Sequence, residues 1–442
     1  MSEDSDWEAQ PFDKPEQRVP YINFDYLDDF DGVRNIATSQ MFLISGGLDR
    51  YLERNPNDVV YNLSQGDGGM SLPGISKQEL IESLSGFLPD HHCTKYSKHP
   101  HGDARLRDAL YRNYYGFTGE PGQPTLDQVI ITCGGREALY RWATCIVPSI
   151  GEYVVTTAAP WPSYGQLFYQ ARRNVLMAPG KEEQSFCLTE EGINACAHKA
   201  RSDGRPIAAM VLTSPGNPTG HYHTEEELRN LIEHAVKCGI PHVLLDLIYQ
   251  MVIDDDAPRY NLPRLLASLS DKARLAVTAM DGTAKVIGGS NLRDAHLVVC
   301  NPELAHTMRA VPSHVTMPAP LGEAVALSFY GSPDPWQHPW RLRVTVPTNK
   351  SRNLAIRMLR ERGFRFISGQ GYYVFVNVAD WIDANIMDVK DLSLYLSESC
   401  GVAIVPGGDF RQPHWVRISV AVEPDYIERG LNRFFAGLDS LK

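Results

Sequence analysis

Residues 206–249 read PIAAMVLTSPGNPTGHYHTEEELRNLIEHAVKCGIPHVLLDLIY, and this stretch decides the fold. "PIAAMVLT" (206–213) is a continuous apolar run of strand length, the pattern of a strand buried on both faces. Thr224 and Glu227 have the spacing of a capping box, in which each side chain satisfies a backbone amide at a helix start. Leu228, Leu231, Ile232, Ala235 and Val236 then form one apolar stripe, and Gly239 stops the helix. "PHVLLDLIY" (241–249) follows as a second apolar strand. Strands this apolar, separated by helices, imply a mostly parallel sheet covered on both faces.

The same alternation extends in both directions. "DQVIIT" (127–132) and "EYVVTT" (152–157) read as strands, with helical spacing in "GREALYRWATCIV" (135–147) and "SYGQLFYQARR" (163–173). "RLAVTAM" (274–280) and "AHLVVC" (295–300) are further apolar, β-branched runs. After about residue 335 the pattern changes. A helix near 349–362 leads to short strands at 372–378 and 415–422, and Ile427, Leu431, Phe434, Phe435 and Leu438 share one face of a last helix. The expected organisation is an arm and first helix over 1–58, a large α/β domain over 59–334 and a smaller α+β domain over 335–442.

The chain has 442 residues and a net charge of −11, spread along its length. That charge excludes an electrostatic binder of nucleic acid or anionic membrane. Anionic small molecules must therefore be met by local arginines and backbone amides. No apolar run is long enough to span a bilayer, and the acidic start "MSEDSDWEAQ" lacks an apolar signal region. The eight cysteines are scattered, with no CxxC and no zinc or disulfide spacing. The adjacent residues of "HHC" (91–93) are poorly placed to converge on one ion. No metal is expected, and a reducing, cytoplasmic compartment is.

Several loops carry residues with chemical potential. "SPGNPTG" (214–220) follows directly on a strand, where ligands of parallel sheets sit, and Asn217 offers an amide there. It also reads as an ordinary turn. "DLIY" (246–249) ends an apolar strand with Asp246, a carboxylate that costs several kcal/mol to bury unless a cation or donors meet it. "CGGREAL" (133–139) opens a helix with a glycine pair, an anion site made of amides and helix dipole. It matches neither a Walker loop nor a Rossmann fingerprint. "APWPSYG" (159–165) brings Trp161 to a strand end, as core or as a stacking platform. "AMDGTAKVIGGSNLRDAH" (279–296) holds one lysine, Lys285, among small residues between two core strands. A surface loop and a retained amine both fit that stretch.

Taken in order, GG-helix, P-W-P, N-P-T-G, D-x-x-Y, a lysine with an arginine eight later, and "VRIS" (416–419) resemble the fold-type I, class I/II aminotransferases, which use pyridoxal 5′-phosphate (PLP). The resemblance runs from about residue 60 to 440. It implies that Lys285 forms a Schiff base with PLP and then moves the proton of a Cα carbanion. It implies that Asp246 pairs with the ring nitrogen, that Asn217 and Tyr249 bond the ring oxygen, and that Trp161 stacks on the ring. The amides of Gly135 and Arg136, the Arg293 guanidinium and the Thr283 hydroxyl would hold the phosphate. Tyr96 would reach the phosphate across a homodimer with shared sites. Arg417 would bind the substrate carboxylate, and Gly66 and Tyr372, from "YNLSQGDGGM" (61–70) and "GQGYYVF" (369–375), would shape the substrate pocket.

The chain departs from the family where serines usually precede the lysine: it has Gly282, Thr283 and Ala284. It also carries Arg136 where a small or neutral residue is common. The same scaffold runs elimination, γ-replacement and ring closure, as in the related aminocyclopropane-carboxylate synthases, so those reactions stand as alternatives to transamination. A non-catalytic sensor fused to a DNA-binding module is a third reading, against which the short acidic arm argues.

Overall fold

The computed structural model describes residues 40–66, 72–89, 99–146, 152–310 and 317–441. A two-residue strand, β1 (Tyr61–Asn62), precedes the main sheet. That sheet contains β2 (Val129–Thr132), β3 (Tyr153–Thr156), β4 (Asn174–Met177), β5 (Ile207–Thr213), β6 (His242–Asp246), β7 (Val277–Asp281) and β8 (Ala295–Val299). Their spatial order is β2-β8-β7-β6-β5-β3-β4. β8 runs antiparallel to both neighbours, and the other pairings are parallel. The sheet is thus mostly parallel, as residues 206–249 predict.

Side chains alternate between two apolar layers, as a strand period of two requires. Ile131, Val155, Leu212 and Leu245 face the layer packed by α3 (Glu190–Ser202) and α4 (Glu225–Lys237). Their neighbours Ile130, Val154, Val211 and Leu244 face the opposite layer, packed by α1 (Gly135–Cys145) and α2 (Pro162–Gln170). The capping box of α4 is formed: the Glu227 amide donates to Thr224 Oγ1 at 3.2 Å, and the Thr224 amide donates to Glu227 Oε2 at 2.7 Å.

Two elements differ from expectation. Residues 271–276 form a helical turn before β7 rather than the first half of a strand. Ser270 caps it by accepting from the Ala273 amide at 3.4 Å, which overrides the apolar run. The helix expected near 349–362 is α5 (Pro339–Glu361), which begins ten residues earlier and carries Pro347 inside it. Buried packing along that helix outweighs the local proline signal.

The C-terminal strands are β9 (Phe366–Ser368), β10 (Tyr373–Asn377), β11 (Val402–Ala403), β12 (Val405–Pro406) and β13 (Trp415–Ser419), followed by α6 (Pro424–Asp439). An antiparallel sheet is ordered β12-β13-β10-β9. β1 pairs with β11, Tyr61 opposite Val402, and Leu63 shares an apolar cluster with Val374, Val416 and Phe434. This docking carries the chain directly after β1, residues 64–66, to Arg417 on β13.

Candidate active site

Parallel strands bring their C-terminal ends to one edge of a sheet, and an antiparallel neighbour brings its N-terminal end there. The register aligns Thr132 with Ala295, Asp281 with His296, Asp246 with Met280, and Thr213 with Asp246. The turns after β2, β5, β6 and β7 and the loop before β8 therefore share that edge. They enclose a cavity of about 370 Å³ lined by Gly66, Gly135, Arg136, Trp161, Asn217, Asp246, Tyr249, Lys285, Arg293 and Arg417. Such a volume suits a small organic ligand.

Lys285 sits in the single helical turn Thr283–Val286 that follows β7, and its ammonium donates to the Gly66 carbonyl. The turn is small for a packing reason. A Cβ on Gly282 would stand 2.7 Å from Ala295 Cα and 2.8 Å from the Asp294 carbonyl oxygen. A serine has no room there, which accounts for one departure from the family pattern. Thr283 does not line the cavity. It is fully buried, and its hydroxyl donates to Asp294 Oδ2 at 3.2 Å. Ser290, five residues after Lys285, lies on the cavity wall instead, its hydroxyl donating to the Ala284 carbonyl at 3.3 Å.

Asp246 is buried at the end of β6. Its Oδ2 accepts from the Tyr164 hydroxyl at 2.5 Å and its Oδ1 from the Ile248 amide at 3.3 Å. Burial pushes its pKa up to about 6, against the opposing pull of Tyr164, the Ile248 amide and the Lys285 charge. Among the described residues no cation lies within ion-pair distance of this carboxyl. The Tyr249 hydroxyl lies 2.9 Å from that of Tyr373, and burial raises the Tyr249 phenol above its ordinary value.

Arg417, on β13, is buried without an acid partner among the described residues. Its Nη1 donates to Asn217 Oδ1 at 3.0 Å and its Nη2 to the Ser64 carbonyl at 2.7 Å, while Nε has no partner. Its guanidinium lies 4.2 Å from the centre of the Tyr373 ring. Asp409 feels the Arg417 charge, which opposes the burial that raises its pKa to about 6, but it forms no ion pair with it, so an entering anion would offset much of the cost of burying the guanidinium.

A second cationic group stands over β2 and β8. In α1 the first helical bonds run from the Glu137 and Ala138 amides to the Gly134 carbonyl, at 3.0 and 3.1 Å. The Gly135 and Arg136 amides precede them, with the positive end of the helix dipole behind. Arg293 donates to the Ser290 carbonyl at 3.0 Å, and a Cβ on Gly134 would meet its guanidinium at 2.7 Å. The Arg136 guanidinium lies 5.7 Å from the centre of the Trp161 ring. Partial burial and then the Arg293 charge lower the Arg136 pKa. Two guanidiniums and a helix start make a site for an anion with several oxygens.

Tyr372 also stands off the cavity wall, with its hydroxyl donating to the Lys285 carbonyl, while Tyr373 lines the cavity. Tyr372 immediately precedes β10 and Tyr373 begins it, and both rings pack edge-on against Tyr249. Tyr96 and the "HHC" stretch lie outside the described residues. Sequence reasoning passed over Tyr164, Thr213 and Ser290. Tyr164 lay within the quoted "APWPSYG", but its partner Asp246 is 82 residues away, and nothing local signals that contact.

The family model described as aminotransferase class I and II matches residues 62–434. The chain belongs to this family. Its relatives include the aspartate aminotransferase of Bacillus subtilis, 25% identical over 382 residues, which cover 85% of this chain and 90% of that protein. The aromatic-amino-acid aminotransferase 2 of Thermococcus litoralis is also 25% identical, over 87% of this chain and 96% of that one. The crystal structure of the aspartate aminotransferase from Rhizobium meliloti shares the fold, with a TM-score of 0.76 and 21% identity over 91% of this chain and 97% of that one. This aminotransferase is therefore an enzyme of the fold-type I group, in a family of PLP enzymes. No helix among the described residues is long and apolar enough to cross a membrane.

Proposed function

We propose that this aminotransferase moves the α-amino group of an amino acid to a keto acid, with PLP held at Lys285. One observation carries the reading: a single cavity holds two cationic groups without ion-pair partners, together with Lys285 from the turn after β7 and a buried Asp246 at the end of β6. The donor set fits PLP. The phosphate suits the Gly135 and Arg136 amides, the Arg293 guanidinium and, in place of Thr283, the Ser290 hydroxyl. A protonated ring nitrogen suits Asp246, whose pKa burial raises and which forms no ion pair among the described residues. Trp161 offers a flat apolar face.

When bound, PLP supplies the electron sink that acidifies the α-proton of the amino acid. Arg417 grips the substrate carboxylate as a two-pronged donor. Asn217 accepts from Arg417 through its oxygen, so its amide group is left to donate into the cavity. Tyr164 and Thr213 hold Asp246 in one orientation. The Lys285 amine would take the α-proton as base and return it as acid. The Gly66 carbonyl supports the Lys285 ammonium, and the absence of a Gly66 side chain leaves space for the Tyr373 hydroxyl. Tyr249 donates through its hydroxyl at the same edge, and Tyr372 positions the Lys285 turn rather than touching substrate.

The assembly proposed is a cytoplasmic homodimer in which Tyr96 reaches the partner's phosphate site. Its subunits divide into an arm (1–58), a large domain (59–334) and a small domain (335–442). The names of the relatives make aspartate and aromatic amino acids the first donors to try. The test is the visible spectrum of the purified protein with PLP, before and after single amino acids or S-adenosylmethionine. A yellow band that bleaches to the pyridoxamine form without any keto acid is expected. No band at all overturns the Lys285 assignment. A band that persists while substrate is consumed replaces transamination with elimination, replacement or cyclisation.

A further inference from the structure

We propose that Cys187, His221 and His223 form a zinc(II) site, outside the active-site cavity, on the loop that carries Asn217. Cys187 belongs to the connection between β4 and α3, and the two histidines belong to the connection between β5 and α4. One donor atom from each residue lies within 4.8 Å of the other two. The imidazole rings stand 4.4 Å apart and nearly perpendicular. Zinc bonds of about 2.0–2.3 Å in a tetrahedron need donor separations of about 3.3–3.7 Å, so closing the site takes side-chain shifts on the order of 1 Å.

Counting protons identifies the donor atom of His223. The Tyr260 hydroxyl spends its one hydrogen on the His223 carbonyl, at 2.7 Å. The Ser214 hydroxyl, 2.5 Å from the Tyr260 oxygen, must then donate to it. Ser214 Oγ is left as an acceptor, taking the His223 backbone amide at 3.0 Å and ring Nδ1 at 3.3 Å. Nδ1 therefore carries the ring proton, and Nε2 presents a lone pair. That Nε2 is buried and has no hydrogen-bond partner, on a residue only 4% exposed. A buried, unpaired imidazole lone pair beside a second imidazole and a thiol is costly alone and well matched to a borderline-soft metal. The Ser214 contact is the outer-shell bond that metal-binding histidines use to fix tautomer and ring orientation.

The sequence hid this site, because Cys187 and the His-x-His pair are 34 residues apart and match no zinc spacing. With three protein ligands, the fourth position is left to water. The metal would tie the β4–α3 connection to the loop between Ser214 and Thr224. That loop already meets the C-terminal half where the Gln370 amide donates to the Gly220 carbonyl at 2.7 Å.

The experiment uses full-length, PLP-loaded protein stripped of metal with a chelator and titrated with cobalt(II), as a difference spectrum against the untreated portion. One cobalt per chain is expected, with a thiolate-to-cobalt absorption band that zinc displaces and Cys187→Ser abolishes. Ser214→Ala should keep the band but weaken affinity about 10- to 100-fold. No band in the unaltered protein, or a band undiminished in Cys187→Ser, overturns the site. X-ray absorption on the unaltered zinc-loaded protein does not depend on how the variants fold. One sulfur and two imidazole neighbours support the site, and a shell of oxygen alone overturns it.

Discussion

Asp246 and Arg417 are both buried charges that form no ion pair among the described residues, and each makes a different demand on what enters the cavity. Asp246 asks for a cation beside it, and its charge matters most when the bound ring takes up electrons. Asp246→Asn keeps an oxygen for Tyr164 but removes that charge. It should cut kcat by about 10²- to 10³-fold, the usual cost of losing one preorganised electrostatic partner, with little change in KM. Arg417 asks for an anion in the ground state as well. Arg417→Lys loses the fork and one of its bonds, so KM should rise by about 2 kcal/mol in binding, roughly thirtyfold, with a smaller effect on kcat. Steady-state kinetics on both variants separates the two roles, and a large KM effect at Asp246 would overturn its assignment. Asp246 stood out in the sequence as a charge ending an apolar strand, whereas Lys285 and Arg417 were singled out by the order of motifs that resembles the family. Tyr164, Ser290 and the unavailability of Thr283 were not legible, because their roles come from partners brought close only by the fold.

The turn between β7 and β8 shows how packing at the level of one element sets the chemistry. Gly282 is pressed against Ala295 and the Asp294 carbonyl, while Ser290 lies on the cavity wall. Gly282→Ser should not restore a family-like phosphate contact. It should lower stability by about 1–3 kcal/mol through overpacking and weaken PLP binding. Denaturation midpoints and cofactor titration read both effects, and tighter PLP binding in that variant would refute the packing argument. Most of the elements around this edge could be read from periodicity and caps, because β5, α4 and β6 have local and global preferences that agree. The helical turn at 271–276 and the early start of α5 could not. There, capping by Ser270 or burial against distant helices decides between two local patterns of similar strength.

Across the whole molecule, the buried carboxyls set how stability responds to pH. Burial pushes Asp281 and Glu323 up to about 7 and Asp294 up to about 8. Each therefore stays protonated in the folded chain while it ionises in the unfolded one. The stability that it contributes is full below the ordinary carboxylate range and is lost as pH rises to its folded value. Six histidines act in the opposite sense: burial lowers His101, His221, His223, His242, His296 and His338, so their contribution grows with pH. That growth ends at the ordinary imidazole value, about 6.5. Carboxyls such as Asp58 and Glu79, held low by arginines, are ionised in both states well below this range. Between about pH 6.5 and 8 the raised carboxyls dominate, so the PLP-free protein should lose stability across that range, and buried thiols such as Cys196 and Cys300, which burial also raises, extend the loss at higher pH. Asp294→Asn keeps an acceptor for Thr283 and removes the group with the highest of these values. It should flatten the segment between about pH 7 and 8, where each unit of slope is worth about 1.4 kcal/mol per group. Urea midpoints across that range test this. A profile that rises from pH 6.5 to 8, or one that Asp294→Asn leaves unchanged, would mean that these carboxyls ionise in the folded protein at their ordinary values.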